Sequence, residues 1–205
     1  MRYLVAAFAA LVLAHNAYAQ GHDFQKTTDL ALAAGSPAAI VKKLDKESYR
    51  GNLIAAHQLG LIYRDGKTVP QDLAKARKYL KTSASGNLNR IWYRRGYAEA
   101  QYDLAVMLQA GSGGTADPSA AESWFEVAAE QGHVPAQFAL ARMYFSGAGI
   151  KRDLERAFFW ASLAAQSSGN TQKEAEQIRD QSQQQLEPVK LAKARNLVNG
   201  WKRKT

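Results

Sequence analysis

The chain has 205 residues, a formal net charge of +9, 46% hydrophobic residues and no cysteine. The absence of cysteine excludes a disulfide framework, a thiolate metal site and a lipoprotein anchor. A basic balance admits nucleic acid, anionic lipid or acidic proteins as partners, and the rest of the chain narrows that choice.

Residues 1–19 read as a signal peptide. Arg2 supplies the positive start, Leu4 to Ala14 is apolar, and Ala17-Tyr18-Ala19 forms an A-x-A cleavage site. The apolar run falls short of the roughly 20 residues that a membrane span needs. Cleavage after Ala19 predicts a periplasmic or secreted protein. The lack of an Asn-x-Ser/Thr sequon fits a bacterial periplasm, a compartment in which nucleic acid is not an expected partner. Membrane contact is expected to be peripheral at most, and the protein to be a monomer.

Residues 20–50 form the expected N-terminal capping unit. Ser36-Pro37 supplies an N-cap and an N1 proline for a helix through Ile40, Val41 and Leu44.

Three self-similar stretches follow. Ala55, Leu59, Tyr63, Gly66, Asp72, Ala76 and Tyr79 recur as Ala100, Leu104, Leu108, Gly111, Asp117, Ala121 and Trp124. They recur again as Ala136, Leu140, Tyr144, Gly147, Asp153, Ala157 and Trp160. The first three positions lie at i, i+4 and i+8, one stripe of a helix. Gly60, Ala105 and Ala141 follow the stripe leucine, so a second helix can approach closely there. Gly66, Gly111 and Gly147 end the first helix. Asp72, Asp117 and Asp153 cap the second, with Pro118 at N1 in the middle copy. Each copy is therefore a helical hairpin. Repeats of this length stack, because each unit buries its apolar face only against its neighbours. In the middle loop Gly114 stands where Val69 and Ile150 stand in the others, which predicts a looser loop. A polar helix over 171–185 and a closing helix over 186–201 complete the chain, and Lys202, Arg203 and Lys204 read as a solvated terminal turn.

The pattern A-x-x-x-L-G/A-x-x-Y, a glycine loop, D-x-x-x-A-x-x-W and then Ala-Ala resembles the Sel1-like repeat, a relative of the tetratricopeptide repeat. The resemblance covers about residues 51 to 169, and the closing helix is similar to those that cap such arrays. It implies an all-α fold: a right-handed α-solenoid of stacked antiparallel helical hairpins with N- and C-terminal helical caps. Repeats are expected at 51–95, 96–131 and 132–169, flanked by caps at 20–50 and 170–205. The related tetratricopeptide arrays bind partners along a groove lined by their first helices. By register from the stripe leucine, those groove positions are His57, Leu61 and Arg64, then Tyr102, Val106 and Gln109, then Phe138, Arg142 and Phe145. Tyr102, Phe138 and Phe145 have the alternative of packing between repeats.

The first copy also carries nine residues that the repeat does not require. They include Arg90, Trp92, Tyr93, Arg94 and Arg95, types favoured as interface anchors, and form a second candidate contact. The alternative is that Trp92 and Tyr93 pack the insertion onto its neighbours.

Motifs for catalysis are not found. Gly60 to Thr68 has five residues between its glycines where a phosphate loop has four, and it ends a helix instead of opening one. There is no H-E-x-x-H, no Ser-x-x-Lys and no Gly-x-Ser-x-Gly. His133 reads as a surface residue after a turn. Glu122, Glu126 and Glu130 read as one exposed acidic helix face. No metal and no cofactor is expected. The function expected is a non-catalytic periplasmic adaptor that binds a peptide segment or partner helix of an envelope protein. The alternatives are a structural subunit of an envelope machine for secretion or flagellar assembly, or a peptidoglycan-binding or processing factor.

Overall fold

The computed structural model describes residues 36–86, 96–169 and 171–204. The signal peptide, most of the N-terminal cap before Ser36 and the whole Arg90–Arg95 insertion lie outside the described residues. Nine α-helices and no strands occur among the described residues: α1 (Pro37–Tyr49), α2 (Leu53–Asp65), α3 (Leu73–Ala84), α4 (Ala98–Ala110), α5 (Pro118–Glu130), α6 (Val134–Ser146), α7 (Leu154–Ala164), α8 (Gln172–Gln185) and α9 (Pro188–Gly200). The all-helical repeat fold expected from the sequence is what the chain adopts. It divides into two compact units, Met1–Ala100 and Gln101–Thr205.

The repeat signature acts through local chemistry. Gly66 and Gly147 close α2 and α6 in the left-handed conformation, with φ of 68° and 71°. Six residues on, the carboxylates of Asp72, Asp117 and Asp153 accept from the N–H groups of Lys75, Ala120 and Arg156 at 2.9, 2.9 and 3.0 Å. The same aspartates close their loops from the other side. Their backbone N–H groups donate to the carbonyls of Tyr63, Leu108 and Tyr144 at 2.9, 2.8 and 2.9 Å. The middle loop is therefore closed as tightly as the others, against expectation. Its closing bond uses backbone atoms only, so Gly114 does not weaken it.

In unit one, α2 packs on α1 and α3. Its stripe residues Ala55 and Leu59 meet Leu44, with Ile40, Val41, Ile62, Tyr63 and Tyr79 around them. Leu59 has no solvent exposure, a burial worth about 1.5–3 kcal/mol. α2 and α3 approach closely at Gly60, where a Cβ would stand 2.6 Å from Leu80 Cγ.

In unit two, α6 packs on α5 and α7, α8 packs on α6 and α7, and α9 covers α7. Lys202, Arg203 and Lys204 are exposed, as expected, but the end of the chain is also tethered. The Lys204 N–H donates to the carbonyl of Glu130 at 2.8 Å, and its ammonium pairs with the Glu130 carboxylate. The Arg203 stem lies over Gly132. α5 has no basic residue in its own last turn, so the tail brings cations to the negative end of its dipole.

Candidate functional site

The groove positions fall at three offsets from the stripe alanine, and the structure treats the offsets differently. At the +2 offset, His57 is buried and its ring meets Tyr97 edge-on at 5.1 Å. Phe138 is also buried, in a cluster with Ala164, Ala165 and Ala175. These two are therefore not surface positions, as the groove reading required. Tyr102 is half-buried between Phe125 at 5.6 Å and His133 at 5.0 Å. The reason is angular. A residue two positions from the stripe points about 200° away from it, onto the flank that stacks on other helices, and a stacked repeat buries both flanks.

The +6 offset is open in unit two. Leu61 is half-buried, Val106 is 41% exposed and Arg142 is exposed. The +9 offset is mixed. Arg64 is half-buried and donates from Nε to Asp65 at 2.9 Å. Gln109 is exposed, whereas Phe145 is half-buried beneath the guanidinium of Arg152 at 5.7 Å.

Within unit two these observations converge on α4 and α6. The Arg142 guanidinium stands 5.8 Å from the centre of the Phe138 ring and forms no ion pair among the described residues. Burial, then the charge of Asp103, raises the pKa of the Tyr102 hydroxyl, while Arg142 opposes them. Tyr102, Asp103 and Arg142 thus share one electrostatic neighbourhood. Asp103 was missed by the sequence reading. It directly follows Tyr102 and lies three residues before Val106, one helical turn away on the same side, which was a usable signal.

Other side chains singled out in the sequence have structural work. His133 is the N-cap of α6, its Nδ1 accepting from the Ala136 N–H at 3.2 Å, so it is not simply a surface residue. Asn52 does the same for α2 at 3.1 Å, also three residues before the stripe alanine. The glutamates of α5 are not one solvated face: Glu122 takes the Tyr144 hydroxyl and lies 3.6 Å from Arg156, and Glu130 holds Lys204. Among the described residues, no group of three His, Asp or Glu side chains gathers in a form able to hold a metal ion. Nor is any described helix long and apolar enough to cross a membrane.

A family model for the Sel1 repeat matches residues 53–88, 98–133 and 134–168, more than half of the chain. Among solved structures, the chain is similar to a Sel1 repeat protein from Oxalobacter formigenes, at 28% identity and a TM-score of 0.56. The match covers 68% of this chain and 96% of that one. It is also similar to c5321, a protective antigen of uropathogenic Escherichia coli strains with an SLR fold, at 24% identity and a TM-score of 0.48. That match covers 87% of this chain and 44% of the other. No curated protein matches the chain.

Proposed function

The chain belongs to the Sel1 repeat family, and from that premise we propose that it is a non-catalytic adaptor of the bacterial periplasm, binding a segment of an envelope protein. Sel1 repeat proteins mediate protein–protein interaction, and the fold is typically a scaffold for it. The observation that carries the reading is the open +6 register in unit two, where Val106 and Arg142 are both exposed, Arg142 rests on the Phe138 ring, and Arg142 and Asp103 both act on the Tyr102 hydroxyl. An exposed arginine that rests on an aromatic ring is a favoured interface anchor. The signal-peptide pattern of residues 1–19 supports the location.

The test is affinity capture of partners from native periplasm by the protein, its Val106→Asp/Arg142→Glu variant and its Trp92→Ala/Arg94→Ala variant. One envelope protein captured by wild type and lost with the first variant supports the site in unit two. Loss with the second variant alone moves the contact to the insertion. Hydrolysis of peptidoglycan by the purified protein would overturn the non-catalytic reading.

A further inference from the structure

The positive charge of this chain is concentrated in one unit. Between residues 36 and 86, ten lysines and arginines stand against four aspartates and glutamates, whereas between 101 and 204 twelve stand against eleven. Much of the excess lies on α1 and α3. Tyr79 of α3 donates its hydroxyl to Asp45 of α1 at 2.7 Å, which ties the flanks of the two helices together. Lys42 and Tyr49 lie one turn on either side of Asp45, Lys46 follows it, and Lys78 directly precedes Tyr79.

These lysines are unengaged. Arg50 is held by Glu47 at 2.8 Å and Lys75 by Asp72 at 3.0 Å, but Lys42, Lys46, Lys78 and Lys81 are exposed and form no ion pair among the described residues. Lys42 and Lys46 are moreover like charges at i, i+4, an arrangement that destabilises a helix. Tyr49 stands in the same group at 95% exposure. The fold makes no use of either feature.

We propose that this face of α1 and α3 docks on an anionic phospholipid membrane, a ligand additional to the protein partner proposed above. A protein interface of ordinary kind has an apolar centre. Tyr49 is the one exposed large hydrophobic side chain among the described residues of unit one, so that centre is missing. Ammonium groups on flexible stems, by contrast, suit phosphates in a fluid leaflet, and an amphipathic tyrosine ring suits the headgroup layer.

The experiment is co-sedimentation of the full chain with vesicles of phosphatidylcholine, with and without about one third phosphatidylglycerol. Each lysine near an anionic leaflet is worth about a fivefold change in partitioning. The variant Lys42→Gln/Lys46→Gln/Lys78→Gln should therefore bind anionic vesicles on the order of 100-fold more weakly. Tyr49→Ala should weaken binding several-fold, and high salt should release the wild type. A charge-matched control, Lys151→Gln/Lys173→Gln/Lys202→Gln, removes three exposed lysines from unit two and should bind nearly as wild type does. Circular dichroism and thermal melts establish that each variant is folded. Equal losses in the two triple variants would overturn the proposal, since bulk charge alone would then explain binding. So would equal binding to neutral vesicles, which would assign it to the apolar N-terminal segment, or no binding at all.

Discussion

The hydroxyl of Tyr144 donates to the carboxylate of Glu122 on the preceding hairpin and accepts from Arg156 Nη1 at 2.5 Å. Arg156 also stands 5.2 Å from the centre of the Tyr144 ring. The ring is buried, so Tyr144→Phe keeps the packing and removes only the bridge. The expected cost is about 1.5–3 kcal/mol, the value of a hydrogen bond to a charged group, read by urea denaturation. With Glu122→Gln as background, the same substitution should cost about half as much or less, because the charged acceptor is gone. Equal costs in both backgrounds would show that the pair is not coupled.

What was legible in the sequence was local. Caps, helix stops and loop closures span three to nine residues, so a single repeat contains all their partners: Asp72 with Lys75, Asp153 with Tyr144. What was not legible depends on stacking. Tyr144 with Glu122, Tyr79 with Asp45 and Lys204 with Glu130 join residues 22, 34 and 74 positions apart. The groove register failed in part for the same reason. The stripe Ala55, Leu59, Tyr63 locates one buried face of α2 but does not say which other flank is covered, and His57 lies on a covered one.

The bond between Tyr79 and Asp45 makes a pH prediction. Burial, then the hydrogen bond to Asp45, raises the Tyr79 pKa from its ordinary 10.0 to about 12. A raised value in the folded state means that the folded chain holds the proton more tightly than the unfolded one. The stabilisation is therefore complete below pH 10.0 and is lost as the pH rises toward about 12. Tyr79→Phe cannot titrate. The stability gap between wild type and variant should thus be constant from pH 7 to 9 and shrink at pH 11, measured by denaturant melts. A gap that stays constant up to pH 11 would refute the assignment.

Gly60 tests the close approach of α2 and α3. Alanine is the better helix former by about 1 kcal/mol, so propensity alone predicts that Gly60→Ala stabilises. Its methyl group would, however, lie 2.6 and 2.7 Å from Leu80 Cγ and Cδ2 and 3.3 Å from the Leu80 backbone nitrogen. Overpacking of this kind costs about 1–3 kcal/mol, so the net effect should be neutral to about 2 kcal/mol destabilising. Copy three has alanine at the corresponding position, Ala141, and there Ala161 replaces Leu80. In a Leu80→Ala background, Gly60→Ala should accordingly become stabilising. A double-mutant cycle by thermal denaturation reads the change of sign.

Gln58 lies one turn before Leu61 on α2, and both polar atoms of its amide are buried without a hydrogen-bond partner among the described residues. An unpaired buried amide costs about 1–3 kcal/mol, and leucine fills nearly the same volume with no polar atom to satisfy. Gln58→Leu is therefore expected to stabilise the protein by about 1 kcal/mol, which for a chain of this size raises the melting temperature by about 2–4 °C. A destabilised variant would mean that the amide is satisfied in solution. If Gln58 is retained because it serves the neighbouring Leu61 register, partner capture should weaken as stability rises, a trade-off seen where a binding residue is poorly matched to the fold around it.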